Sequence, residues 1–175
     1  MTVDAVPRGG SIDIDASQSS QFVSGLLLAA PRFAEGLTVR HTGASLPSVP
    51  HIDMTVETLR AAGVTVDTPE PNVWRVHPGP IAPLDITVEP DLSNAATFLA
   101  AALVTGGEVA VPNWPDHTTQ AGDEFRFIAE AFGGESELID GELIVRGPKQ
   151  LQPVDLDLSS CLLYTSDAAD DSLRV

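Results

Sequence analysis

Cysteine is nearly missing from this 175-residue chain. Cys161 stands alone, so no internal disulfide can form. Four scattered histidines without a second cysteine give no zinc-ligand spacing, and no metal site is expected. Positive charge is scarce as well: 9 Lys and Arg face 25 Asp and Glu, a net charge of −16. A chain of this sign approaches nucleic acid or an anionic membrane surface only against repulsion, so neither is expected as a partner. Long apolar runs are also lacking. The longest, residues 98–104 with Ala95 and Ala96 before it, is too short to span a bilayer, and the N-terminus has no basic-then-apolar leader. These absences suit a cytoplasmic chain of one large or two small domains. No Gly-rich loop matches a nucleotide fingerprint, and no cofactor is expected. His41, His77 and His117 show no Ser/His/Asp spacing and no nucleophile elbow, which leaves hydrolase chemistry unsupported.

What is present is an order of periods that occurs twice. Ile12-Asp13-Ile14-Asp15 alternates as a strand. Residues 17–30 follow as a helix that is apolar nearly all round, ended by Pro31. Residues 37–41 alternate again, residues 50–62 give a second helix with Ile52, Val56 and Leu59 at helical spacing, and Gly63 closes it. Strands at 64–66 and 73–76 complete a βαβαββ unit. After the Pro-rich connector 77–83, the order returns: strand 85–89, apolar helix 93–104, strand 108–111, a helix carrying Phe125, Ile128, Ala129 and Phe132, and strands 137–139 and 142–145 around Asp140-Gly141. Val154-Asp155-Leu156-Asp157 echoes the first strand and reads as the opening of a third copy. The fold class is therefore α/β, built of α+β repeats.

Chemistry-bearing residues gather at the helix starts. Ser17-Gln18-Ser19-Ser20-Gln21 places hydroxyls, an amide and backbone N–H groups at one helix N-terminus, which attracts phosphate or carboxylate, although taken alone such a start is better explained by a single capping serine. Ser48-Val49-Pro50-His51 opens the second helix, with Ser48 in the cap region and His51 readable as a solvated side chain. At the third helix, capping alone accounts for Asp91 or Ser93. The pairs Asp13/Asp15 and Asp155/Asp157 each share a strand face, and without a partner base they read as solvated acids.

Three strings taken in order, Ser19-Ser20-Gln21-Phe22, Pro50-His51-Ile52-Asp53-Met54-Thr55 and Glu89-Pro90-Asp91-Leu92-Ser93-Asn94-Ala95-Ala96, closely resemble 5-enolpyruvylshikimate-3-phosphate synthase. The resemblance covers residues 10–160, whereas the family's chain is more than twice as long, so this segment looks like its middle portion. It implies the inside-out barrel of enolpyruvyl transferases: two domains, each of three βαβαββ units, joined by two crossing strands. Residues 1–84 would then be the last unit of the shikimate-3-phosphate-binding domain. Residues 85–160 would be a unit of the second domain plus the start of the next, with the crossing near residues 84–90. The resemblance further implies that Ser19, Ser20 and Gln21 bind shikimate 3-phosphate, with Gln21 also near phosphoenolpyruvate. Ser48 matches another substrate ligand, and His51 holds a position that is often Tyr or His. The implied reaction adds the 5-hydroxyl of shikimate 3-phosphate to C2 of phosphoenolpyruvate and then eliminates phosphate, in the shikimate pathway to chorismate and the aromatic amino acids. The family enzyme is expected to be a monomer.

The acid, base and cationic clamps that such chemistry needs lie, by the same resemblance, in segments outside this chain, which offers only Lys149 and eight arginines. Val49 departs from the basic residue usual between that serine and proline. No catalytic residue is therefore assigned, and the chain alone is expected to be inactive. Two other readings stay open: a fragment of the sister enzyme that transfers enolpyruvate to UDP-N-acetylglucosamine, and a non-catalytic repeat module. The last fifteen residues stand apart. Cys161-Leu162-Leu163-Tyr164-Thr165-Ser166-Asp167-Ala168-Ala169-Asp170 is identical to one reading frame of a widely used transposase sequencing adaptor, so residues 161–175 are read as a non-native tail.

Overall fold

The computed structural model describes residues 7–156, which fall into two compact units divided between Ile86 and Thr87. Asp157, the presumed third repeat beyond it and the adaptor-like tail lie outside the described residues.

Unit 1 folds in the order β1 (Gly10–Ile14), α1 (Gln21–Ala29), β2 (Leu37–His41), α2 (Val49–Ala61), β3 (Val66–Glu70) and β4 (Val73–Val76). Its sheet has the order β1-β2-β4-β3; β1 and β2 run parallel and the other pairs antiparallel. Alternation sends Leu37, Val39 and His41 of β2 to the core face and leaves Arg40 outside. Against that face pack Val23 and Leu27 of α1 and Ile52, Val56 and Leu59 of α2, all at 4% exposure or less. Their burial contributes to the unit's hydrophobic stabilisation.

Unit 2 continues with α3 (Leu92–Thr105), β5 (Glu108–Pro112), α4 (Phe125–Ala131), β6 (Glu135–Ile139) and β7 (Glu142–Arg146), its sheet being antiparallel throughout in the order β5-β7-β6. Leu92, Leu99 and Ala102 of α3 pack with Trp114, Ala129, Leu143 and Val145. The β6–β7 turn places Asp140 (φ 49°) and Gly141 (φ 76°) both in the left-handed region, the backbone twist that a two-residue hairpin requires.

Four expectations are corrected. Residues 85–89 form no strand: they pair with no strand among the described residues, and Ile86 and Val88 stand 65% and 82% exposed. Their alternation suits a ladder, but no neighbouring strand takes their backbone groups, and Pro83 and Pro90 bound them without donors. Residues 154–156 likewise form no strand. The strand expected at 64–66 begins only at Val66, because Gly63 (φ 78°) turns the chain and the Val64 N–H bonds back to the Leu59 carbonyl. The first helix starts at Gln21 instead of residue 17, since Asp15 and Ser17 bind each other and hold a turn there. Its apolar circumference is only partly covered: Phe22 is 57% and Leu28 52% exposed.

Candidate functional site

Between β1 and α1 the chain makes a turn whose polar groups are tied in sequence. Asp15 accepts from the Ser17 N–H at 2.9 Å and from the Ser17 hydroxyl at 2.5 Å. Those two bonds hold the Asp15 carboxyl below its ordinary value of 3.8. The Ser19 N–H donates to the Ala16 carbonyl at 3.1 Å, and the Ser19 hydroxyl accepts from the Gln21 N–H at 3.2 Å. Ser20 occupies the N-cap position without a side-chain cap bond and is buried, whereas Gln21 is exposed. The carbonyl of Ser20 accepts from the N–H groups of Val23 and Ser24, which starts the helix.

The second helix begins beside the first. Ser48 takes a left-handed backbone (φ 52°) that lets Val49 and Pro50 enter the first turn of α2, and the His51 N–H reaches back to the Ser48 carbonyl at 3.0 Å. One turn further on, the Thr55 hydroxyl bonds the Ser24 hydroxyl at 3.0 Å. Ser24 stands one turn beyond Ser20 and Thr55 one turn beyond His51, so this bond draws the two N-terminal turns side by side. Because α1 and α2 follow parallel strands, their positive dipole ends share one edge of the unit. Ser19, Ser20 and Gln21 are thus grouped on one turn and Ser48 and His51 on its neighbour. Such an edge suits an anion carried on a hydroxyl-rich ligand. Little cationic help comes from the nearby strand: Arg40 is engaged by Glu70 at 3.0 Å and Asp13 at 3.7 Å. Among the described residues no group of three His, Cys, Asp or Glu side chains is placed to hold a metal ion, and no helix is long and apolar enough to cross a membrane.

The start of α3 in unit 2 is occupied differently. Asp91 caps it, accepting from the Asn94 N–H at 3.0 Å and the Asn94 amide at 2.8 Å, while Gln120 accepts from the Leu92 N–H at 3.0 Å. The capping account of Asp91 is sufficient there. Asp13 is ion-paired and Asp15 is a turn acceptor, so these acids do not act as a pair.

Three residues that spacing did not bring together complete the first site. Asp15, Ser17 and His41 meet in space, but they are not wired as a triad: the hydroxyl serves the carboxylate, and His41 Nδ1 accepts from the Ala16 N–H at 3.1 Å. His41 Nε2 is buried and has no partner among the described residues, a cost of about 1–3 kcal/mol for an orphaned donor. A Cβ on Gly43 would overlap Ser17 Oγ and Asp15 Oδ1 and come within 2.6 Å of His41 Cε1, so these side chains would have to shift to admit one. The parity of β2, which sends His41 to the same face as Leu37 and Val39, was the available signal for its burial.

Known proteins share this chain's sequence and fold. A family model described as EPSP synthase (3-phosphoshikimate 1-carboxyvinyltransferase) matches residues 1–165. A curated 3-phosphoshikimate 1-carboxyvinyltransferase from Kocuria rhizophila is 55% identical over 152 residues, 86% of this chain and 34% of the relative, so the chain spans about a third of that protein's length. Among solved structures, an EPSP synthase from Acinetobacter baumannii superposes with a TM-score of 0.65 at 25% identity, over 89% of this chain and 35% of the other. The enolpyruvyl transferase NikO from Streptomyces tendae gives 0.56 at 19% identity, covering 83% of this chain and 37% of its own, and shares the fold.

Proposed function

The chain belongs to the EPSP synthase family, and from that premise we propose that it is a portion of an enzyme that transfers the enolpyruvyl group of phosphoenolpyruvate to the 5-hydroxyl of shikimate 3-phosphate, releasing phosphate. Residues 1–84 are the last βαβαββ unit of the shikimate-3-phosphate-binding domain, and residues 85–160 belong to the second domain and open its next unit. The paired helix starts of unit 1 carry this reading: Ser19, Ser20 and Gln21 bind the phosphate and hydroxyls of shikimate 3-phosphate with Ser48 and His51 beside them. Dipole ends and hydroxyls bind an anion but supply neither the proton transfers nor the charge compensation that addition and elimination demand. Turnover therefore needs lysine, arginine and acidic groups from the rest of the enzyme. The exposed Ile86 and Val88 agree with a strand that crosses to a sheet completed elsewhere. The enzyme is a cytoplasmic monomer, and residues 161–175 are adaptor-derived.

The test exchanges the matched segment of the Kocuria rhizophila relative for residues 10–156 of this chain and follows phosphate release. Turnover with shikimate 3-phosphate and phosphoenolpyruvate is expected in the exchange protein, is expected to fall sharply in its Ser20→Val and Gln21→Ala variants, and should be undetectable for the 175-residue chain alone. Turnover with UDP-N-acetylglucosamine in place of shikimate 3-phosphate would transfer the assignment to the sister reaction.

A further inference from the structure

We propose that His41 is a positioning residue for the site just described, fixing the β1–α1 turn through an unprotonated Nδ1; the inference rests on the reading of Ser19, Ser20 and Gln21 as ligand-binding. Four hydrogen-bonding groups run without a break from the core strand to the helix start. His41 Nδ1 accepts from the Ala16 N–H at 3.1 Å. The Ala16 carbonyl accepts from the Ser19 N–H at 3.1 Å, and the Ser19 hydroxyl accepts from the Gln21 N–H at 3.2 Å. Ala16 is fully buried, so water does not supply an acceptor for its N–H, and an apolar residue at position 41 would leave that donor orphaned.

The ring's chemistry sets which nitrogen bears the proton. An acceptor at Nδ1 requires the neutral ring to carry its hydrogen on Nε2, and that nitrogen finds no partner among the described residues. The Nδ1 bond is thus the ring's one polar attachment there. Gly43 lines the other side: a Cβ there would displace Ser17 Oγ and Asp15 Oδ1, the pair that braces the first half of the same turn. His41 and the Asp15–Ser17 pair therefore grip the turn from two directions, and its outer half presents Ser19, Ser20 and Gln21.

The test uses the 175-residue chain. Long-range ¹⁵N–¹H spectra of the imidazole should show an Nε2–H tautomer for His41. Amide exchange at Ala16 and Ser19 should speed up about tenfold in His41→Phe, which keeps the ring and removes the acceptor, with β2–β4 protection retained. In His41→Asn, whose oxygen replaces Nδ1, exchange should return towards the parent rate. A merely space-filling role would give the opposite ranking, with His41→Phe tolerated and His41→Asn disruptive. Should His41→Phe fail to fold, the tautomer of the unaltered chain still decides: an Nδ1–H ring overturns the proposal, as does unchanged exchange at Ala16 and Ser19. Titration of the unaltered chain with shikimate 3-phosphate is the separate arm. An Nε2–H tautomer with no shifts at the Ser19, Ser20 and Gln21 amides keeps the positioning of the turn and removes the ligand reading instead.

Discussion

Among the described residues unit 1 carries four strands and unit 2 three, and the difference lies at one edge. In unit 1 the first strand is fastened at both ends. The Gly10 N–H reaches the Gly36 carbonyl at 3.1 Å and the Glu35 N–H the Arg8 carbonyl at 2.8 Å; beyond the strand, the Thr42 N–H meets the Ile14 carbonyl at 2.9 Å and Ala16 meets His41. The corresponding segment of unit 2 is fastened only near its end, and to a loop. Glu89 accepts from Thr118 at 2.9 Å and from Gln120 at 2.8 Å, with Gln120 also on the Pro90 carbonyl. Two residues beyond the inward-facing Val39 of β2 stands His41; two beyond Val111 of β5 stands Asn113, turned into the left-handed region at φ 58°. Pro112 at the end of β5 also lacks a donor. Both segments alternate alike, so fastening at the ends decides which becomes a strand.

The largest expected effect tests whether the missing strand weakens unit 2. Leu27 of α1 and Leu99 of α3 are both fully buried, and truncating either to alanine should cost about 2–5 kcal/mol. Because unit 2 has one strand fewer to share the load, Leu99→Ala should lower amide protection across β5–β7 further than Leu27→Ala lowers it across β1–β4. The reverse ranking in hydrogen exchange would detach stability from strand number. A smaller effect is expected from loosening the strand that unit 1 does have. Gly9 sits at φ 95° with its absent Cβ overlapping the Gly36 carbonyl oxygen. Gly9→Val should therefore cost about 1–3 kcal/mol and open the β1 ladder, raising its exchange to that of residues 85–89. Intact β1 protection in this variant would mean that the N-terminal fastening is dispensable.

The two hairpins differ in the opposite sense. In unit 2 the β6–β7 pairing is unbroken around Asp140-Gly141, while the β3–β4 register in unit 1 shifts between Asp67 and Glu70, where Pro69 interrupts the edge. Gly141→Ala should cost about 1–2 kcal/mol, since alanine at φ 76° is strained in a turn that fixes register. Asn72→Gly, at φ 63° in the looser turn, should change stability by less than about 0.5 kcal/mol. Equal effects in denaturant melts would show that both turns hold register alike.

Much of this order could be read from periodicity. Apolar spacing marks Ile52, Val56 and Leu59, the Asp140-Gly141 pair marks its hairpin, and the Ser-Ser-Gln string marks the helix start that the geometry places beside Ser48 and His51. The misreadings have two physical origins: a strand partner absent among the described residues, and short-range bonds that override the period. Residues 85–89 carry a strand pattern but no neighbour, Val64 is claimed by the Leu59 carbonyl, and residues 17–20 are claimed by Asp15 and Ala16. His41 was dismissed for want of triad spacing because Ala16, the group it serves, is a backbone donor 25 positions away.

The smallest effect is a dependence on acid confined to exposed carboxylates. Bonds from the Ser17 hydroxyl and N–H hold Asp15 below its ordinary value of 3.8, and the His77 ring at 2.7 Å does the same for Asp67; both acids belong to unit 1. A carboxyl whose value is lower in the folded state stabilises that state fully above pH 3.8 and loses the contribution as pH falls through the folded value. Protection of β1 and of the β1–α1 turn should therefore hold as pH is lowered from 5 to about 3.8 and decline below that, as Asp15 takes up its proton. Asp15→Asn should start lower and lose less over that span, because the amide has no charge to surrender. Both side chains are exposed, so the difference should also shrink on adding salt. Parallel pH profiles for Asp15→Asn and the unaltered chain would show that Asp15 braces the turn by shape alone, leaving His41 as the group that fixes it.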